Sequence, residues 1–215
     1  MDATGTAFDG FPVAALDFYD DLEMDNTKSF WTAHKDTYDT AVKAPMAALV
    51  AALEPEFGKA KLFRPYRDVR FAKDKTPYKT HQGGFVQAGQ GTGWYVQVGA
   101  PGVRVGVGFY DSGSPRLAAF RAAVDDDRTG TALRKIVDRM LRQGWELGGE
   151  TLKTTPRGYD ADHPRIDLLR HKSMSFGKSY GFEPVIHTAD LLDRVRDDWR
   201  AGRAFVEWVD AHATV

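Results

Sequence analysis

The sequence predicts an α+β fold, in which N-terminal and C-terminal helices cover a central antiparallel sheet. Apolar residues recur at helical spacing early in the chain, alternate with polar residues in the middle, and return to helical spacing towards the end. The alternating region covers roughly residues 64–110, and a further strand is expected near residues 172–180. With 215 residues, 42% of them hydrophobic, the chain is expected to form a single domain over residues 1–215.

Two helices are predicted before the sheet. In the first, Phe11, Phe18 and Leu22 lie at helical spacing and should face the core. Acidic residues stand between them and should face solvent: Asp17, Asp20, Asp21 and Glu23. The stretch DNTKSF then starts a second helix, which Asn26 or Thr27 can cap. Pro45 should kink or divide this helix, because proline lacks a backbone N–H.

The sheet is predicted from a period of two. In VRVGVGFY, the side chains of Val103, Val105 and Val107 share one face of a strand. The stretch GAPG, residues 99–102, is expected to be the hairpin turn before that strand. Helices are predicted again from SPRLAAFRAAV and from three later runs of apolar residues at helical spacing, which lie over residues 133–141, 166–169 and 191–208.

The positive charge of the chain is concentrated in one place. The formal net charge is -1, yet residues 59–82 contain eight Lys or Arg and two Asp. Residues 1–58 contain three Lys or Arg and eleven Asp or Glu. The near-neutral total argues against a general binder of nucleic acid or anionic membranes. We therefore expect a local basic site.

The basic segment, RPYRDVRFAKDKTPYK at residues 64–79, combines arginine, lysine and tyrosine. Arginine offers a planar fork for carboxylate or phosphate, lysine a mobile charge, and tyrosine a hydroxyl group and a stacking face. As a strand, this segment would turn Val69 and Phe71 towards the core, and Arg67 would need a bulge or a carboxylate partner. The residues expected to bind an anionic ligand are Arg64, Arg67, Arg70, Lys73, Lys75, Tyr78 and Lys79.

A structural interpretation of the basic segment is the alternative. Asp68 and Asp74 can neutralise nearby cations and form an arginine–aspartate network that pins the segment to its neighbours. Charged runs are more often solvated or internally paired than catalytic. The sequence leaves both interpretations open.

The later segment, residues 153–163 within LKTTPRGYDADHP, is the second candidate. Lys153 and Arg157 are expected to hold an anion. Asp162 or Asp160 can orient His163, as a general base requires. The alternative is ordinary turn and cap chemistry before a helix at residues 164–171.

Neither a metal nor a cofactor is expected. The chain has no cysteine, and its six histidines lack the spacing of a metal site. The N-terminus lacks the features of a signal peptide, and no run of residues is long and apolar enough to cross a bilayer. A cytoplasmic location and no membrane partner are therefore expected.

The basic segment resembles the signature of DUF2461, a bacterial family known as a domain of unknown function. That signature reads R-x-x-R-D-x-R-F, followed by D/N-K and a tyrosine, and the matching positions are Arg64, Arg67, Asp68, Arg70, Phe71, Asp74, Lys75 and Tyr78. DNTKSFWTAHKDTYDTAVKAP and LKTTPRGYDADHPRIDLLRHKS are similar to two other regions of the family, so the resemblance covers roughly residues 8–210. It implies that both segments belong to one architecture, and it brings no activity, substrate or cofactor.

These observations predict that the basic segment and the later segment meet in one basic pocket. Its ligand is expected to be a phosphorylated or carboxylated small molecule. If the pocket is catalytic, Asp68 is expected to orient an arginine, and His163 with Asp162 to transfer protons. Whether the chain is an enzyme is left open.

Two alternative functions belong to other classes. A nucleic-acid binding module would use Tyr66, Tyr78 and Phe71 as stacking surfaces. The net charge of -1 makes nucleic acid the less favoured partner. In an interaction protein, the acidic residues within 17–25 of one copy would dock on the basic segment of another, and the oligomeric state is left open.

Overall fold

The computed structural model of the protein describes residues 7–110 and 114–213 and confirms the α+β fold. The elements before the sheet are α1 (Val13–Met24), α2 (Lys28–Ala33), α3 (Lys35–Thr37), a π-helical stretch (Tyr38–Lys43) and α4 (Ala44–Phe57). The elements after its first four strands are α5 (Ser114–Asp125), α6 (Asp127–Arg142), α7 (Ile166–Leu169), a 3-10 turn (Pro184–His187) and α8 (Leu191–His212).

The N-terminal helices follow the predicted pattern. Helix α1 buries Phe18 and Leu22 on one side, as expected from their spacing. Thr27 caps α2, because its side chain accepts a hydrogen bond of 3.2 Å from the backbone N–H of Phe30. Pro45 lies in the first turn of α4, where a missing N–H costs little, and the predicted break is the π-helical stretch before it.

In the described part of the chain, six strands form one antiparallel sheet. They are β1 (Ala60–Leu62), β2 (His81–Gly89), β3 (Thr92–Gly99), β4 (Gly102–Phe109), β5 (Glu146–Gly148) and β6 (Met174–Gly181), and their order in the sheet is β1-β2-β3-β4-β6-β5. At one edge, Lys61 lies opposite Phe85; at the other, Leu147 lies opposite Phe176.

The hairpin between β3 and β4 has the two-residue turn that GAPG predicted. Strand β4 then buries Val103, Val105 and Val107 completely. Gly102 has a φ of +96°, and a Cβ atom there would lie 1.7 Å from the carbonyl oxygen of Gly181. Only glycine fits this close approach of the two backbones.

The predicted strand over the first part of residues 64–110 was wrong. Strands in that range begin at His81, and the basic segment is a loop between β1 and β2. Phe71, which was expected to face the core, is 97% exposed. The physical reason is that the loop satisfies its polar groups with its own side chains, so alternation of apolar residues does not decide its conformation. The short strands β1 and β5 were not predicted.

The described residues form two compact units. The first contains the described residues up to Val86 with Tyr95–Val105 and Ser179–Asp197; the second contains Gln87–Trp94, the described residues of Gly106–Lys178, and those from Asp198 onwards. That the chain is a single domain stays a prediction. No helix in the described ranges is both long enough and apolar enough to span a bilayer.

Candidate functional site

The basic segment forms a loop that is closed at its neck. Tyr66 and Tyr78 pair there as an isolated antiparallel bridge. Backbone hydrogen bonds of 2.9 and 2.8 Å flank the bridge, from Arg67 to Pro77 and from Lys79 to Pro65. The inner of these bonds, from Arg67 to Pro77, encloses the tip of the loop, defined here as residues 68–75.

Asn26 and Trp31 hold the neck from the start of the second helical region. The side-chain amide of Asn26 donates a hydrogen bond of 3.0 Å to the carbonyl of Tyr78 and accepts one of 3.1 Å from its N–H. The rings of Trp31 and Tyr78 stack with their centroids 4.3 Å apart and an interplanar angle of 8°. Tyr78 is therefore a buried structural anchor, with 4% of its surface exposed.

Most of the charged groups in the loop are paired with each other. Asp68 accepts hydrogen bonds of 2.9 and 2.7 Å from the Nε and Nη2 atoms of Arg70. Arg67 pairs with Asp74, and the Lys75 ammonium donates a bond of 2.9 Å to the carbonyl of Val69. The arginine–aspartate contacts of the structural interpretation are thus present. That Arg67, Arg70 or Lys75 also binds a ligand stays a prediction.

Asp74 is a carboxylate of this network whose pKa is strongly lowered by its hydrogen bonds, and its side chain is 55% exposed. The backbone N–H of Thr76, the Arg67 guanidinium and the Thr76 hydroxyl, in that order of effect, lower the pKa of Asp74 to about 2. The N–H and hydroxyl bonds are both 2.9 Å long. Asp74 is consequently ionised at any ordinary pH, which keeps Arg67 paired.

A cleft of about 370 Å³ lies beside the neck of the loop. Its aromatic lining comes from Trp31, Tyr38, Phe63 and Tyr66, and its charged lining from Lys35, Asp39, Lys43 and Arg64. Three cations and one carboxylate thus surround an aromatic floor. Planar rings and cations together suit a ligand that has an anionic group and a flat or apolar part.

The floor of the cleft is held by a buried hydrogen-bond network. The hydroxyl group of Tyr38 donates to Gln82 Oε1 over 2.6 Å. The Gln82 amide nitrogen donates bonds of 2.9 Å to the carbonyls of Phe63 and Gly83, so this amide is fully engaged. Burial, followed by the negative charge of Asp39, raises the pKa of Tyr38 to about 12. The hydroxyl therefore stays protonated and keeps Gln82 in place.

The cations around the cleft differ in how they are paired. Asp39 pairs with both Lys35 and Lys43, and the hydrogen bond with Lys35 lowers the Asp39 pKa. Arg64 is exposed and makes no ion pair with any described residue. Burial and then the charge of Arg64 lower the pKa of Lys79, whose ammonium lies 5.2 Å from the centre of the Phe63 ring. Of the three cations that line the cleft, Arg64 is thus the one without an ion-pair partner among the described residues.

The later segment lies in the second unit, whereas the basic segment lies in the first. Lys153, Arg157 and Asp162 are exposed in a loop. That the two segments share one pocket stays a prediction. Lys73 and Lys79 of the basic segment likewise keep only a predicted role in ligand binding.

His163 is engaged at both ring nitrogens. Its Nε2 atom lies 3.2 Å from Asp125, and its Nδ1 atom accepts a hydrogen bond of 3.0 Å from the backbone N–H of Arg165. The carboxylate that orients the ring is therefore Asp125, where the sequence had suggested Asp162 or Asp160. Asp125 lies almost forty residues earlier, at the end of α5, so local sequence gave no sign of this pair. Proton transfer by His163 stays a prediction.

Arg165 fixes the later segment to the junction of α5 and α6. Its guanidinium donates bonds of 2.7 Å to the carbonyls of Val124 and Asp125 and one of 3.0 Å to Asp127. A Cβ atom on Gly130 would lie 2.0 Å from the Val124 carbonyl, so the junction is tightly packed. A buried arginine that caps a helix end has a structural role.

A family model matches residues 14–208 of the chain, and its description is "Conserved hypothetical protein (DUF2461)". The chain belongs to the DUF2461 family. This confirms the resemblance that the basic segment suggested. Comparison with curated proteins and with solved structures gives no match. Within the described residues of this DUF2461 chain, no group of three or more histidine, aspartate or glutamate side chains could hold a metal ion.

The predicted site residues did not include those that the helices of this DUF2461 chain contribute to the cleft. Lys35, Asp39 and Lys43 are spaced four residues apart, a pattern that places them on one helix face and could have identified them. Gln82 and Asn26 carry no such signal, because their roles depend on residues 44 and 52 positions away.

Proposed function

We propose that the chain binds a small phosphorylated or carboxylated molecule in the cleft beside the neck of the loop. The observation that carries the proposal is Arg64, an exposed guanidinium without an ion-pair partner among the described residues, at the rim of an aromatic cleft of about 370 Å³. A volume of this size suits a metabolite and is too small for a folded partner.

The ligand would meet two kinds of surface. Its anionic group would bind the Arg64 fork, and Lys35 and Lys43, which also line the cleft, would add positive charge. Its flat or apolar part would lie against Tyr66, which is 51% exposed beside buried Trp31. Asp39 would disfavour a polyanion, since its carboxylate stands between the two lysines.

The test is a thermal-shift screen followed by calorimetric titration. The ligands would be phosphate, sulfate, nucleoside monophosphates, sugar phosphates and dicarboxylates. A ligand that binds only the native state stabilises it by about 2.7 kcal/mol at one hundred times its Kd. Arg64→Gln should weaken binding by about tenfold or more, because a hydrogen bond to a charged group contributes about 1.5–3 kcal/mol.

Lys59→Gln is the matched control, because Lys59 is an exposed cation outside the cleft and its loss changes the net charge equally. It should leave the affinity unchanged. A ligand that binds both variants equally would place its site elsewhere, and the absence of any stabilising anion would count against a metabolite site.

Nucleic acid is the second candidate, because the same loop carries an exposed aromatic ring, Phe71. Single-stranded nucleic acid binds to proteins through stacking and through free cations on phosphates. Here Arg67 and Arg70 are already paired with carboxylates, which makes them weaker phosphate ligands. A short oligonucleotide in the same titration decides this point, since its affinity should fall steeply with added salt if it binds.

A further inference from the structure

The tip of the loop, residues 68–75, presents an unusual combination of side chains. Phe71 is 97% exposed, and the Arg70 side chain beside it is 77% exposed. Lys73 and Lys75 are exposed as well. A lone exposed apolar side chain is common, but this phenylalanine shares the tip with Lys73 and Lys75, which add positive charge beyond the Asp68–Arg70 pair, so the tip offers an anchor together with a charged rim.

The tip is also held in a defined conformation before any partner binds. The pairs Asp68–Arg70 and Arg67–Asp74 brace it, and the Tyr66–Tyr78 bridge closes it. A surface that is ordered in advance loses less conformational entropy on association. These contacts therefore make Phe71 a better anchor than a side chain on a loose loop.

Helix α1 carries a surface of opposite charge. Val13, Asp17, Asp20, Asp21 and Met24 are spaced by four, three, one and three residues, which puts them on one outward stripe about 16 Å long. All five are exposed, Met24 by 89% and Val13 by 58%. None of the three aspartates forms an ion pair with a residue in the ranges 7–110 and 114–213. We call this surface the acidic stripe.

We propose that copies of this chain associate head to tail, with the loop tip of one copy docked on the acidic stripe of the next. The charges are complementary, and each surface has an exposed apolar side chain for the other to cover. Phe71 would pack against Met24, whose thioether makes favourable contacts with aromatic rings. Lys73 and Lys75 would face the aspartates.

The two surfaces differ from each other, so copies that share one tip–stripe contact form rings or open chains, whereas two copies that make the contact reciprocally form a two-fold dimer. It uses none of the residues that line the cleft. Self-association and ligand binding can therefore be tested independently of each other. Because exposed charges are screened within about 10 Å at 0.1 M salt, the association should weaken as salt is added.

Sedimentation velocity between roughly 10 µM and 1 mM protein tests the proposal. The wild-type chain should sediment faster as its concentration rises. Phe71→Ser should weaken this association by roughly tenfold or more, as expected for an aromatic anchor. Lys59→Gln is the control for a lost surface cation and should behave as wild type.

Charge reversal gives the sharper test. One variant would carry Lys73→Glu and Lys75→Glu, and the other Asp20→Lys and Asp21→Lys. Each alone should be monomeric, because its tip and stripe then repel each other. An equimolar mixture should associate again, because each variant offers the surface that the other needs. All four substitutions are at exposed positions, and unchanged thermal unfolding would show that the variants are folded.

Three results would overturn the proposal. They are a wild-type chain that stays monomeric up to about 1 mM, an association that Phe71→Ser leaves intact, and a mixture of the reversed variants that remains monomeric. Binding of a single-stranded oligonucleotide by a monomeric wild-type chain, lost in Phe71→Ser, would assign the tip to nucleic acid instead.

Discussion

Individual polar side chains decide how the loop is held. Asn26 was considered as a helix cap, a role that Thr27 takes instead. This leaves both groups of the Asn26 amide for the backbone of Tyr78. Asn26 and Thr27 are equally good caps by residue type, so the sequence leaves the choice open and the distant partner decides it.

The lowered pKa of Asp74 predicts how the stability of the native state depends on pH. Its pKa of about 2 lies below the ordinary value of 3.8, mainly because of the hydrogen bond from Thr76 N–H and the pairing with Arg67. A lowered pKa means that ionised Asp74 stabilises the native state fully above about pH 4, and that this stabilisation is lost as the pH falls through about 2. Asp74→Asn should therefore be less stable than wild type at neutral pH, with the difference vanishing towards pH 2.

Urea unfolding of both proteins at a series of pH values measures this effect. Asp160→Asn serves as the control, because it removes a carboxylate from another exposed loop. A difference between wild type and Asp74→Asn that does not change between pH 5 and pH 2 would show that the native state does not depend on the charge of Asp74.

At the scale of elements, the β3–β4 hairpin depends on Gly102. Gly102→Ala should destabilise the protein strongly, since a positive φ costs about 1–3 kcal/mol and the added methyl group would collide with the Gly181 carbonyl. Gly181→Ala is the matched control. Gly181 has a φ of +56° and nothing within 4 Å of its Cβ position, so only the backbone cost of about 1–2 kcal/mol is expected.

Chemical denaturation of the two alanine variants would compare these effects directly. The loss of unfolding free energy should be clearly larger for Gly102→Ala. Equal losses would mean that the turn relaxes around the new methyl group.

Most elements were predictable because their periodicity is strong. The valines of β4 and the apolar side of α1 each follow one period throughout, and both elements form as predicted. The short strands β1 and β5 have three residues each, too few to display a period. The basic segment was misassigned for a different reason, since hydrogen bonds from its own aspartates and Asn26 replace a strand ladder.

Each of the two compact units is built from several separate stretches of the chain, and this predicts whether a fragment can fold by itself. The first unit includes Ser179–Asp197, and the second includes residues on both sides of Tyr95–Val105. Neither unit can be obtained as one continuous piece of chain. A fragment that ends at residue 110 should therefore fail to fold, because the first unit would lack Ser179–Asp197.

Circular dichroism and limited proteolysis of that fragment check the expectation. The full chain under the same conditions is the reference, and it should resist protease where the fragment is degraded. Cooperative thermal unfolding of the fragment would instead show that the first 110 residues carry enough core by themselves.

The sequence by itself determined the fold class, the family and the location of the positive charge, because periodicity, signature spacing and charge counts are properties of neighbouring residues. The tertiary structure decided which charges are neutralised. In the folded chain, Arg67 and Arg70 pair with carboxylates, whereas Arg64 lies beside an aromatic cleft. Phe71 is exposed, and His163 contacts Asp125. The reason is physical: pairing depends on distances of a few ångströms between groups far apart in the chain, and those distances exist only once the chain is folded.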